Sequence, residues 1–347
     1  MIWKYFKDSI ITLFSGLALA FAISWWQAHS AQAAIQACLT ALILAVLEVS
    51  LSFDNAVVNA TIIRKMTPVW QKRFITWGIL IAVFGMRLVF PLAIVAIMAS
   101  INPLEAFMLS FSDPQKYAEI MASAHTSVAA FGGMFLFMVF IHFFVNEEKD
   151  EHWFPLFEKP LTKMASFQGL ELGCALAFLV ILSGFLPAEE SMTFLSSGVW
   201  GVITYLAVHS LANYLENMGV VENSNAVAAT GGLGLFLYLE VLDASFSFDG
   251  VIGAFAITNS LIQIMIGLGI GAFFVRSLTI YFVERDTLSA FIYLEHGAFY
   301  ALGALAVLMI SEPFLHIPEW VTGLTGAMIL ITSVLWSIYE NRKRRAA

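Results

Sequence analysis

Apolar runs of about 20 residues recur along the chain, and each is close to the length a helix needs to cross a hydrocarbon core of ~30 Å. Short polar or proline-containing breaks divide them into ten candidate spans, near 9–27, 36–62, 74–100, 123–145, 167–187, 193–215, 231–257, 261–283, 289–311 and 319–339. The runs are too uniformly apolar to be barrel strands, which alternate residue by residue. The pattern predicts an all-α, polytopic membrane helix bundle of about ten spans. The first run follows Lys4 and Lys7 as a signal peptide would, but Trp25 and Trp26 at its far end suit an interfacial anchor and favour a retained span. The one sizeable polar connection, NEEKDEHWFPLFEKPLTKM from Asn146, reads as a loop on the cytoplasmic side rather than a domain.

Composition agrees. Only 12% of the 347 residues are charged and 60% are hydrophobic, against about 25% charged in a soluble domain. With the first residues inside, 14 of the 17 Lys and Arg residues fall on the inner side, as cytoplasmic loops require, and an even number of spans returns the last residues to that side. The expected location is the inner membrane, with both termini cytoplasmic and the lipid bilayer as solvent. The 212–230 connection, with Glu216 and Glu222 but no Lys or Arg, gives that orientation no support. The net charge of −8 describes acids inside spans more than a surface, and no soluble basic face exists to hold nucleic acid. Cys38 and Cys174 sit in apolar segments and suggest no disulfide framework.

Two of the runs contain the same acidic pattern. LEVSLSFDNA (Leu47 to Ala56) and LDASFSFDGV (Leu242 to Val251) align without gaps, pairing Glu48 with Asp243, Ser50 with Ser245, Ser52 with Ser247, and Asp54 with Asp249. Five spans separate the copies, so they cross in opposite directions, which is the signature of an inverted-topology internal repeat with its site near mid-membrane. The chain then divides into an N-terminal span (1–30), a first repeat half (31–165) and a second (166–347).

An in-span carboxylate costs at least ~2.5 kcal/mol on insertion scales and therefore needs a partner inside the protein. The two acids of each copy are six residues apart, and six steps of ~100° place them off any common helix face. Either the helix breaks near the Ser-rich turn, where hydroxyls can satisfy freed backbone groups, or two facing helices each supply a carboxylate. Glu48, Asp54, Asp243 and Asp249, with Asn55 and the hydroxyls of Ser52 and Ser247, form an all-oxygen set suited to a hard divalent cation such as Mn²⁺, Ca²⁺ or Mg²⁺. Glu240, three residues before Asp243, is a further candidate without a counterpart in the first copy. The competing reading is that these acids pair with Arg87 and Arg276, the two in-span arginines, and lock helices together.

LEVSLSFDNA resembles the LE-x-x-LS-x-DNA signature of the TerC family of integral membrane proteins, and the second copy resembles that family's second acidic motif, with Gly250 in place of Asn55. The resemblance implies metal-ion export, best supported for manganese, within the broader LysE-like transporter group. It makes Glu48, Asp54, Asn55, Asp243 and Asp249 the ion-site positions. The expectation is a secondary transporter, not an enzyme, with a divalent cation as substrate, Asp54 and Asp249 as central ligands, and Glu48 and Asp243 as second ligands or proton acceptors. Protons are the expected coupling ion, because no GxxxxGK[ST] motif is present to use ATP, and no organic cofactor is implied. The alternatives are a non-transporting scaffold in a metal-stress complex and an intramembrane enzyme, for which no HExxH or GxSxG motif is found.

The remaining in-span polar residues, His125, His142, His209, Glu171, Glu216, Glu295 and His296, are individually more often structural than functional. Glu295 with His296 is a candidate proton-coupling pair, since His titrates near neutral pH. Glu171 is a candidate interior carboxylate, and His209, Asn213 and Glu216 form a polar stripe at i, i+4 and i+7.

Overall fold

A computed structural model describes residues 2–145, 152–164, 169–221, 232–258, 260–284, 291–315, 317 and 319–346. No strand occurs among the described residues. The helices run in the order α1 (Ile2–Ala28), α2 (Ala31–Leu51), α3 (Phe53–Ile63), α4 (Pro68–Arg73), two π-helical stretches (Phe74–Gly78 and Ile81–Val89), α5 (Phe90–Met98), α6 (Pro103–Ser112), α7 (Pro114–Ser123), α8 (His125–Val145), α9 (Pro155–Met164), α10 (Leu170–Ser183), α11 (Ala188–Val221), α12 (Leu233–Ile257), α13 (Leu261–Glu284), α14 (Leu294–Ser311) and α15 (Glu319–Ala346).

Seven helical stretches among the described residues are long and apolar enough to cross a membrane: Trp3–Ala28, Ala31–Leu51, Ile81–Met98, His125–Val145, Ala188–Leu211, Leu261–Glu284 and Leu294–Ser311. The chain is a multi-pass, all-α membrane bundle. The ten expected spans differ from these seven for local reasons. The expected second span is cut at Ser52 into α2 and the short α3, and the fifth shrinks to the 14 residues of α10. The seventh, α12, carries Glu240, Asp243 and Asp249 within 18 consecutive residues, too many carboxylates for a simple apolar span. The tenth lies within α15, and its charged residues Glu340, Arg342, Lys343 and Arg344 fall after the expected end at 339.

Two short helices occupy what the apolar pattern left as an outer connection. Asn102 caps α6 by accepting from the Glu105 N–H at 2.8 Å while Glu105 reaches back to the Asn102 N–H, and Asp113 caps α7 by accepting from the Lys116 N–H at 3.1 Å. Proline follows each cap, where its missing N–H loses no bond. The polar stretch after Asn146 also contains a helix, α9, within its described part.

The chain forms two compact units, residues 1–52, 72–125 and 246–281 in one and 53–71, 126–245 and 282–347 in the other. In the first, α1 lies antiparallel to α13. The Ser9 hydroxyl donates to the Phe273 carbonyl at 2.8 Å and meets the Ser277 hydroxyl at 2.7 Å, while Tyr5 stands edge-on to Tyr281 at 5.4 Å. α2 lies parallel to α13 through glycines: Gly267 faces Ala41 and Leu44, and Gly271 faces Ala45 and Glu48. Small residues do this work because helices in lipid gain nothing from hiding apolar area from one another and associate by close packing instead. Ala20, Ala41, Ala45, Ile266 and Ile270 make the shared core.

In the second unit, α14 and α15 form an antiparallel hairpin. Gly297 packs on Ser333, and the Tyr293 N–H donates to the Ser337 hydroxyl at 2.9 Å. α3 rests on both helices. α8 runs through the middle, with Gly133 against Ala306 and Ile310, Gly132 against Ser245, and the Phe131 carbonyl against Gly201.

A methyl group at Gly271 would overlap the Cβ of Glu48 and sit 2.8 Å from the Ala45 carbonyl oxygen, whereas one at Gly173 meets nothing within 4 Å. Gly271→Ala is expected to destabilise the protein by about 1–3 kcal/mol through overpacking. Gly173→Ala, on an open helical face, is expected to be neutral or mildly stabilising. Thermal unfolding in detergent compares the two.

Candidate functional site

The first motif is built around the break at Ser52. α2 ends there, with the Ser52 N–H still donating to the Glu48 carbonyl at 2.9 Å and the Ser52 hydroxyl donating to Glu48 Oε1 at 3.0 Å. This is the break near the Ser-rich turn that the serine spacing favours. α3 therefore starts afresh at Phe53, and Asp54 falls in its first turn, where free N–H groups and the helix dipole favour a negative charge. The Asn55 N–H donates to Asp54 Oδ1 at 3.1 Å. Asp54 is 6% exposed, and from α15 comes Gly326, where a methyl group would stand 3.1 Å from Asp54 Oδ2.

Glu48 belongs to the other unit and is neutralised. Its Oε1 forms a buried ion pair with the Arg87 guanidinium, which also donates to the Ala82 carbonyl in the π-helical stretch. Across from it, a methyl group at Gly250 would lie 3.3 Å from Glu48 Oε2. That contact gives a reason for glycine where the first copy has Asn55: the carboxylate needs the room. The helix-locking reading thus describes Glu48 with Arg87, whereas Arg276 interacts electrostatically with Asp8 on α1.

The second motif runs through α12 without a break, so the two copies solve one problem differently. Asp243 accepts from the Asn59 side-chain amide at 2.8 Å, and Glu240, 8% exposed and one turn earlier, interacts electrostatically with Asp243. Asn59, one turn after Asn55 on α3, is the site residue that motif matching misses; its i+4 spacing from Asn55 was the available signal. The buried oxygens of this unit that have no hydrogen-bond donor include Asn55 Oδ1, Asn59 Oδ1 and Glu240 Oε1. Buried acceptors are seldom left so, and each calls for a proton, an ion or a water.

The other expected ligands divide. Ser52 and Ser247 are buried, Ser52 against Glu48, while Ser50 is exposed and, like Ser245, turns its hydroxyl to its own helix at Val46 and Val241 respectively. The side chain of Asp249 lies outside the described residues, as do Glu216 and Glu222. Among the described residues, no three His, Cys, Asp or Glu side chains converge to hold a metal ion.

Of the scattered polar residues, His142, Glu171, His209 and Asn213 come together. His142 Nδ1 stands 3.3 Å from Glu171 Oε2, the two imidazoles lie 4.5 Å apart, and Asn213 Nδ2 is 3.0 Å from His209 Nε2. His125 opens α8. His296 turns to Glu158 rather than to Glu295, because successive residues on a helix point ~100° apart.

Arg87→Gln alone leaves Glu48 buried without its cation and is expected to cost about 3–5 kcal/mol, while the double change Glu48→Gln with Arg87→Met recovers most of the loss. Denaturant or thermal unfolding of the three proteins measures the difference.

No curated protein and no solved structure matches the chain. One protein family does match, over residues 53–344, beginning one residue after the break at Ser52 and including Asp54, Asn59 and the whole second motif. That match covers well over half of the sequence, and the chain belongs to the family described as Protein of unknown function (DUF475).

Proposed function

We propose that this protein is a secondary transporter that exports a hard divalent cation, with Mn²⁺ as the leading substrate and Ca²⁺ second, across the inner membrane, both termini lying on the cytoplasmic side. The observation that carries the reading is that Asn55 Oδ1, Asn59 Oδ1 and Glu240 Oε1 are buried without donors in the unit that also holds Asp54 and Asp243. Neutral amide oxygens with a few carboxylates are what hard cations take as ligands, and the absence of thiolates argues against soft metals. The likeness of both motifs to those of the TerC family supports the same conclusion, and it gives Asp249 a ligand's role in the opposed segment.

Each residue then has a task. Asp54 supplies the principal charge, and the start of α3 offsets part of it, so that binding is reversible. Asn59 orients Asp243 through its N–H and offers its carbonyl oxygen to the ion. Glu240 and Asp243 exchange protons with the cation as it passes, which couples efflux to protons. Glu48, compensated by Arg87, serves the scaffold instead of the ion.

A second reading, a membrane scaffold that transports nothing, draws support from the Glu48–Arg87 pair and from the lack of a three-ligand cluster among the described residues. Purified protein in vesicles separates the two. Mn²⁺ uptake is expected from wild type, loss to background in Asp54→Asn and Asp243→Asn with membrane insertion intact, and a loss of about 10–100-fold in Asn59→Leu, as for other residues that orient ligands. Absence of flux in wild type supports the scaffold, and undiminished flux in both Asp variants rejects this site.

A further inference from the structure

Glu158 takes no part in the cation reading, yet it is the most deeply buried carboxylate among the described residues, 1% exposed in the stretch that the sequence pattern assigned to a polar loop. One of its oxygens is satisfied by neutral donors: Oε1 accepts from the Phe154 N–H and from the Tyr300 hydroxyl, each at 3.0 Å. The other is not. Oε2 has no hydrogen-bond donor and faces two imidazole nitrogens, His152 Nδ1 at 3.6 Å and His296 Nε2 at 3.5 Å. Those separations are too long for hydrogen bonds and short enough for ion pairs once an imidazole is charged.

The surroundings are aromatic. Tyr300 is flanked by Trp153 and Phe154 at 5.7 and 5.6 Å, and Trp153 stacks on Tyr293 at 6.2 Å. α8 contributes the rings of Phe143 and Phe144 to His296. Among the described residues, the titratable groups facing Glu158 are His152 from the segment before α9, and His296 and Tyr300 from α14, with Tyr293 beside His296 and Lys159 next along α9.

We propose that Glu158, His152 and His296 form a proton-binding site that fastens α9 to the start of α14. A proton taken up from water by either imidazole gives an imidazolium facing the buried carboxylate. A buried carboxylate without a counter-charge is costly, so the protonated state holds α9 down and the deprotonated state releases it. Imidazole ordinarily titrates near pH 6.5. The clasp is thus complete when either imidazole carries a proton and weakens when both are neutral. His152, which keeps some exposed surface, exchanges the proton with solvent. The site does not depend on the cation reading, since it shares no residue with it.

Hydrogen exchange of the full chain in lipid nanodiscs tests this, with rates corrected for the intrinsic effect of pH. The amides of α9 are expected to be at least about tenfold more protected near pH 6 than near pH 8, the order set by one partly buried ion pair. Glu158→Gln is expected to lose that protection at both values. His152→Gln with His296→Gln is expected to remove the pH dependence while the amides of α8 remain protected, and His152→Gln alone, at the more exposed position, to reduce it. Equal protection of wild-type α9 at the two pH values, or a pH dependence that survives in the double variant, overturns the proposal.

Discussion

A charged group at bilayer depth has no water to turn to, and in this protein each described motif acid has to find its compensation within the bundle. The Glu48–Arg87 pair is the clearest case, and much of the first unit is arranged around it. α2 and α13 approach closely because positions 267 and 271 are glycines, Gly250 leaves room for the second carboxylate oxygen, and the π-helical stretch exposes the Ala82 carbonyl to the same guanidinium. Changing any of these alters the fit of a buried ion pair, whose partners are tolerable together and expensive apart.

The other motif acids are handled by different means. Asp54 is placed in the first turn of a helix made by interrupting its predecessor at Ser52, where the Asn55 N–H and the helix terminus offset part of its charge. Asp243 lies in an uninterrupted helix and receives its hydrogen bond from a side chain, Asn59, supplied by the first motif's own helix. One repeated sequence pattern thus gives an ion pair, a helix terminus and an amide contact. The acceptor oxygens of Asn55, Asn59 and Glu240 are left without donors.

The sequence made part of this legible. Serine spacing pointed to a break near Ser52 because hydroxyls substitute for lost backbone bonds, and the break is there. The same spacing in α12 gives no break, although its Ser245 hydroxyl bonds back to Val241 in the manner of a helical serine. Asn59 was passed over because motif comparison stops at Ala56, before the next turn of the helix. Glu158 was passed over because a carboxylate among Lys, Glu and Pro residues reads as solvated, and nothing local announces that Tyr300 and His296, some 140 residues further on, close over it.

By itself, the sequence determined the solvent and the secondary structure: length and uniform apolarity of the runs dictate membrane helices, since in lipid the backbone must bond within its own segment. It also located the motif carboxylates whose burial demands an explanation. Only the tertiary structure decided which partner each received. That choice rests on contacts between residues far apart in the chain, such as Glu48 with Arg87 and Asn59 with Asp243, and on glycines that permit approach. Their geometry comes from packing, which no periodicity along a single helix encodes.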